Sequence, residues 1–169
     1  MKIICMTLLS LLPFLTNAQD IIEIRKQYLE SVEDESRCNA LYNRLMIQKN
    51  NRNQIFLGYK GAVAILMAKF VGNPFTKLSY FKEGKAILEN AIEKAPQEIE
   101  LHFLRFGIQE NLPAILRYNE NMKEDKSFMI QHLQEVDSPQ FRQVIISILL
   151  KSSHVSEEEK SRLRNLNSK

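Results

Sequence analysis

The sequence predicts an all-α protein built as an array of antiparallel helical hairpins. Apolar residues recur at spacings of three and four along most of the chain, which is the period of an α-helix. Asn73 and Ser138 each stand directly before a proline, a combination typical of helix N-termini. No segment shows the strict alternation of apolar and polar residues that indicates a half-buried strand. With 169 residues, 44% of them hydrophobic, the chain is long enough to bury one core.

The N-terminus has the pattern of a secretory signal peptide. Lys2 precedes an apolar run over residues 3–15, and Thr16 and Ala18 place small residues before a cleavage site. We therefore expect residues 1–18 to be a signal peptide and residues 19–169 to form a single helical domain. The apolar run is shorter than the roughly 20 residues that span a bilayer. We expect an exported protein, periplasmic or secreted, without a permanent membrane span after cleavage.

Helix boundaries in the first half follow from capping residues and prolines. The polar run KNNRNQ is a loop, and Asn53 within it is expected to cap the helix that follows. Asn73 is expected to cap another helix, with Pro74 at its first position and Pro96 after its end. The helices predicted in this half cover residues 20–34, 36–49, 55–72 and 74–95.

The second half contains shorter helices with the same kind of signals. Pro113 interrupts the apolar pattern, and Ser138 with Pro139 starts a helix rich in isoleucine and leucine. Ser156 precedes three glutamates, which favour the positive end of a helix dipole. The helices predicted in this half cover residues 97–110, 113–121, 124–135, 139–151 and 156–166.

The helix predicted over 55–72 carries a stripe of small residues along one side. Glycine costs about 1 kcal/mol relative to alanine inside a helix, so several glycines indicate a close neighbour. The segment is apolar nearly all round, but its length and its two lysines argue against a membrane span. We interpret it as a central core helix. The residues of the stripe are Gly58, Gly61, Ala64, Ala68 and Gly72.

One segment is similar to a known repeat. In GKAILENAIEKAP, small residues, a leucine and a proline follow the spacing of the second helix of a tetratricopeptide repeat. Leu57 and Gly58 resemble the Leu-Gly pair of that repeat's first helix, although Gly58 and Gly84 lie further apart than in the family, which lengthens both helices. The resemblance implies a tetratricopeptide-like array with a concave surface that binds peptides or protein segments. The residues that match in the second helix are Gly84, Leu88, Ala91 and Pro96.

The segment LHFLRFGIQENLP contains the strongest candidate binding residues. On a helical wheel, His102, Arg105 and Gln109 form a polar stripe between aliphatic and aromatic faces. Such a stripe is solvated, paired internally or turned to a ligand, because buried polar groups need partners. Arg105 has the fork geometry that binds a carboxylate or phosphate. Two interpretations stay open, a structural arginine that bridges helices and a ligand-binding site.

Three further residues are candidates for the same binding surface. Arg117 and Tyr118 would converge on Arg105 if the chain forms a hairpin around residues 111–113. Lys60 would either reach a groove to meet a carboxylate or lie along the core with its ammonium group in water. Lys69 falls on the opposite side of the wheel, so the two lysines cannot form one patch.

Composition and the absence of several motifs argue against some function classes. The 23 basic and 20 acidic residues give a net charge of +3 and are interspersed, which does not favour nucleic acid binding. The sequence lacks the GxSxG, HExxH, phosphate-loop and CxxC motifs, and His132 and His154 have no metal-ligand spacing to His102. No catalytic residue, metal or cofactor is therefore predicted. Cys38, the one cysteine of the mature chain, is expected to be a buried apolar residue.

These observations leave two hypotheses of different class. The first is an exported, non-catalytic binding or scaffold protein of the cell envelope, which holds a peptide or protein partner in a groove beside the helices at 55–72 and 97–110. The alternative is a small exported helical enzyme or small-ligand carrier that uses Arg105, His102 and Gln109.

Overall fold

The computed structural model describes residues 12–49 and 51–167, and over these ranges the chain is helical, with no strand. The predicted all-α class is confirmed. Residues 1–11 of the predicted signal peptide lie outside the described residues, and the first helix runs through the predicted cleavage site after Ala18. The helices are α1 Leu12–Ser31, α2 Glu35–Ile47, α3 Gln54–Phe70, α4 Pro74–Lys94, α5 Ile99–Asn111, α6 Met122–His132, α7 Pro139–Lys151 and α8 Glu157–Asn167.

Side-chain caps fix the starts of four helices. The Asn53 side chain accepts a hydrogen bond from the amide of Phe56 at 3.0 Å, and Asn73 accepts two from the first turn of α4. Ser138 caps α7 in the same way, and both α4 and α7 have proline at the first position. These starts confirm the predictions. Asp34 caps α2, whose start lies one residue before the predicted one.

The prediction of an α-helix over residues 113–121 is wrong. Only a short 3₁₀ turn forms, at Ala114–Leu116, and Arg117 ends it in the left-handed region with φ 47° and ψ 46°. Short helices depend on tertiary packing of an apolar face. Ile115 is exposed here and buries no such face, whereas Tyr118 beyond the turn is buried and draws the chain inward.

Helix α3 lies at the centre of the molecule. It contacts α1, α2, α4 and α5, and its buried residues join one connected apolar cluster that extends from Ile21 to Leu163. This arrangement confirms α3 as a core helix. In the part of the chain that the structure describes, no helix combines the length and the hydropathy required to cross a membrane.

The small-residue stripe of α3 brings α3 and α4 into backbone contact. A Cβ added at Gly61 would lie 2.7 Å from the carbonyl oxygen of Gly84 and 2.7 Å from the amide nitrogen of Leu88. A Cβ at Gly84 would lie 2.5 Å from the Gly61 oxygen. Neither helix can carry a larger residue here without moving its neighbour. Gly58 faces α5 instead, against the side chain of Leu101.

Substituting Gly61 with alanine is expected to lower the free energy of unfolding by about 1–3 kcal/mol, because the methyl group meets backbone atoms that cannot turn aside. Gly107, inside α5, is the matched control, since an added Cβ there meets no atom within 4 Å. Gly107→Ala should raise the free energy of unfolding by up to about 1 kcal/mol through helix propensity. Urea unfolding followed by circular dichroism measures both, and a Gly61→Ala variant as stable as the parent would contradict the close contact.

Candidate functional site

Asp125 lies at the centre of a buried polar cluster between α5 and α6. The Asp125 side chain has no exposed surface. Arg105 donates to both carboxylate oxygens, from Nε to Oδ2 at 2.8 Å and from Nη2 to Oδ1 at 2.6 Å. His102 places Nδ1 at 2.7 Å from Oδ1. The arginine therefore faces a buried acid, as the structural-bridge interpretation requires.

The position of Asp125 on α6 explains its burial. Met122 and Met129 stand three residues before it and four residues after it, so all three share one helix face, and all three are buried. A charged run such as KEDKS at 123–127 is typical of a solvated helix start, but Asp125 within it is buried. The methionines on either side are the signal that could have identified it.

Glu89 of α4 extends the cluster to a third helix. Arg105 donates from Nη1 to Glu89 Oε2 at 2.8 Å, and the Tyr118 hydroxyl donates to the other oxygen. Burial alone would lower the pKa of Arg105, but hydrogen bonds and charges from Asp125 and Glu89 raise it above its ordinary value. Burial raises the pKa of Tyr118, and Glu89 raises it further. Arg105 therefore stays charged and Tyr118 keeps its proton.

His102 has a hydrogen-bond acceptor at each ring nitrogen. Nδ1 faces Asp125, and Nε2 lies 2.9 Å from the carbonyl oxygen of Pro96, just after α4. Both hydrogen bonds form together only when both nitrogens carry protons. His102, Arg105, Asp125 and Glu89 form one connected set of side-chain contacts. Every one of these groups is engaged by a neighbour, so the cluster fits a bridge between α4, α5 and α6.

A second buried carboxylate holds the start of α5. Glu100 accepts from Nε and Nη2 of Arg25 at 2.7 and 2.8 Å and from the Tyr59 hydroxyl at 2.5 Å. The Arg25 guanidinium also lies over the Phe141 ring, 4.0 Å from its centroid. These contacts join α1, α3, α5 and α7. Glu100 was not among the predicted site residues, although its place four residues before Leu104 puts it on the apolar side of the helix.

The other predicted site residues do not meet in one place. Gln109 is buried, with its Nε2 3.5 Å from Asn121 Oδ1. Tyr118 joins the cluster through Glu89, as described, but Arg117 is exposed. Lys60 is half-buried, and no carboxylate of a described residue lies within ion-pair distance of it. Of the predicted binding residues, the structure therefore brings together Arg105, His102 and Tyr118.

An apolar groove lies on the other side of α5. The groove has a volume of about 1210 Å³ and is bounded by α1, α3, α4, α5, α7 and the 3₁₀ turn. Leu78 and Ile115 line it and are 41% and 87% exposed, so it opens to solvent. Its apolar floor is formed by Ala62, Ile65, Phe81, Phe103, Leu104 and Ile108.

Helix α5 separates the groove from the polar cluster. Phe103, Gly107 and Ile108 line the groove, whereas His102 and Arg105 point to α6. The polar stripe of His102 and Arg105 therefore lies on the side of α5 opposite the groove, where it holds this helix in place as one wall of the groove. The wall itself is the apolar side of the same helix.

Five charged residues lie along the rim of the groove. Glu33 and Lys69 form an ion pair at 2.6 Å. Lys77, Glu110 and Lys151 also line the groove, and none of them forms an ion pair with another described residue. Among the described residues, no group of three histidine, cysteine or acidic side chains is placed to hold a metal ion.

Removing the cation from the cluster is expected to destabilise the fold strongly. Arg105→Met leaves the buried Asp125 and the half-buried Glu89 without their cation and should cost about 3–5 kcal/mol of unfolding free energy. Arg162→Met removes an exposed ion pair of α8 and should cost less than about 1 kcal/mol. The Arg105→Met/Asp125→Leu double variant should be more stable than the sum of its single variants predicts. Additive losses in urea unfolding would argue against the bridge.

Cys38 is expected to be unreactive in the folded protein. Its side chain is buried, with Sγ 3.6 Å from Met67 Sδ, and burial and the nearby charge of Glu35 raise its pKa to about 11. The thiolate that reacts with disulfide reagents is therefore scarce at neutral pH. In a Cys5→Ser variant of the full chain, modification of Cys38 by such a reagent should be far slower before urea unfolding than after it. Equal rates would contradict the burial.

Compared with models of known protein families, with curated proteins and with solved structures, the chain matches none of them. The resemblance to a tetratricopeptide repeat therefore stays a prediction.

Proposed function

We propose that the protein is an exported, non-catalytic binding protein of the cell envelope, a tetratricopeptide-like array of helical hairpins that holds a segment of a peptide or protein partner. The observation that carries this proposal is the apolar groove, which opens to solvent beside α3 and α5. Soluble proteins rarely leave a large apolar surface exposed without a use for it. The groove lies beside the two helices at which the sequence analysis expected a partner to bind.

The length of the groove fits two turns of an α-helix. Its lining residues run from Ala62 to Lys69 on α3, from Pro74 to Phe81 on α4 and from Phe103 to Asn111 on α5. At about 1.5 Å per residue these stretches are roughly 10–14 Å long. An amphipathic helix with anchors at positions i, i+3 or i+4, and i+7 spans about 10.5 Å. We propose that the occupant is such a helix.

The volume of the groove supports a peptide occupant. A pocket for a drug-sized molecule occupies about 300–1,000 Å³, whereas this groove has about 1210 Å³ and an open side. Leu78 and Ile115 at the opening would gain burial against a bound helix, and burying one such side chain fully contributes about 1.5–3 kcal/mol. Phe75 is 85% exposed and lies one turn before Leu78, where it extends the apolar edge.

The polar clusters support this proposal indirectly. Arg105 and Asp125 hold α5 to α6 on the side that faces away from the groove, and Glu100 holds the first turn of α5 to Arg25 of α1. A wall held in this way is organised before binding, which lowers the entropic cost of holding a partner. In this proposal His102 and Arg105 act on binding through the position of α5 and do not touch the partner.

Filling the groove is expected to weaken binding without unfolding the protein. At Gly107 an added side chain meets open space, so Gly107→Leu should extend into the groove and displace one anchor of a bound helix. Gly72→Leu adds the same side chain at another open position that does not line the groove. The probe is a fluorescent synthetic helix of about 14 residues, with leucines at i, i+3 and i+7 and neutral polar residues elsewhere.

We expect Gly107→Leu to weaken binding of this peptide about ten- to hundredfold in fluorescence anisotropy, and Gly72→Leu to leave it unchanged. Equal binding by both variants would place the peptide elsewhere on the surface. If a fluorescent fatty acid bound to the groove and the peptide did not, the protein would be a carrier of small apolar ligands and the proposal would fail.

A further inference from the structure

We propose that the helix bound in the apolar groove is acidic beside its apolar anchors, with carboxylates that meet Lys77 and Lys151. This inference rests on the proposed function and adds the chemistry of the partner. It follows from the charges on the rim of the groove.

The rim has a positive excess once its own ion pair is counted. Glu33 and Lys69 neutralise each other at 2.6 Å. Of the three charged residues that remain, Lys77 and Lys151 are basic and Glu110 is acidic. The two lysines belong to different helices, α4 and α7, so a bound helix would meet positive charge from two elements of the wall.

Neither lysine is neutralised by its own helix. The positions three and four residues away from Lys77 and Lys151, on both sides, hold no acidic residue. Both side chains belong to exposed residues, so each keeps a hydrated charge at the edge of an apolar surface. A partner carboxylate there would gain a charged contact without having to displace an acid of this protein.

Charges at such a position select between partners. Rim ion pairs add little affinity individually, but complementary charges raise the rate of encounter, and like charges disfavour the wrong partner. A helix with lysines beside its anchors would meet like charge at Lys77 and Lys151. A helix with two glutamates there, and a neutral or basic residue near Glu110, fits all three rim charges.

Two peptides with identical leucine anchors test the inference, one flanked by glutamate and the other by lysine. The wild-type full chain should bind the glutamate peptide about tenfold more tightly in fluorescence anisotropy at low salt. The preference should shrink as salt is added. The Lys77→Glu/Lys151→Glu variant should reverse it. The control is Lys82→Glu/Lys94→Glu, which changes the net charge equally at two exposed lysines of α4 outside the groove and should keep the preference.

The outcomes separate this inference from the proposed function. If the wild type bound both peptides equally, or if the Lys77→Glu/Lys151→Glu variant kept the original preference, the charge inference would be overturned and the groove would stand. If neither peptide bound, both proposals would fail. Two further outcomes would reassign the surface if both peptides failed to bind. Binding to vesicles of anionic lipid that depended on Lys77 and Lys151 would assign it to a membrane. Self-association in sedimentation that depended on the same lysines would assign it to a second copy of the chain.

Discussion

The carboxylate of Asp125 is fully buried and accepts three hydrogen bonds from two side chains of α5. A carboxylate in such a place is tolerated only when cations and donors surround it. Arg105 and His102 meet this requirement and tie α5 to α6, and the further contact of Arg105 with Glu89 brings in α4. The same solution recurs at the start of α5, where Arg25 surrounds Glu100. Helix α5 is thus fixed at its first turn by Glu100 and on the side opposite the groove by Arg105 and His102.

The contact between Gly61 and Gly84 sets the distance between α3 and α4. Because a methyl group on either residue would collide with the opposite backbone, α3 and α4 approach as closely as two helices can at this point. The backbone atoms in this contact cannot change rotamer to make room, as aliphatic side chains can. Together with the two carboxylate clusters, the contact holds the helices that surround the groove.

Much of the helical framework follows from local chemistry, and the sequence therefore predicts it. Asn53, Asn73 and Ser138 each cap the helix expected of them, and the glycines of α3 indicate a close neighbour. These signals depend on residues within one turn of each other. The helix predicted over 113–121 does not form for the opposite reason. The conformation of this segment follows from the burial of Tyr118 against Glu89, a residue distant in sequence.

The candidate site shows the same division. The polar stripe of His102 and Arg105 is visible from helical spacing, but a wheel cannot show what faces it. The group that faces the stripe is Asp125, which lies within a charged run of the sequence. The groove is even harder to predict from the sequence, because five helices and a turn contribute to it and no single segment carries its pattern.

An open groove has a cost that the buried clusters help to offset. Phe103 and Ile108 are packed on one side, but the groove that they line remains open, so α5 cannot gain stability from apolar packing all round. Filling that space with neighbouring side chains would bury more apolar surface and would close the groove. Hydrogen bonds between charged groups require a defined geometry. The ones described here hold α5 to α4, α6 and α1 and leave the groove open. Charged side chains in the interior of this protein thus hold α5 in place while one apolar side of the helix stays open to the groove.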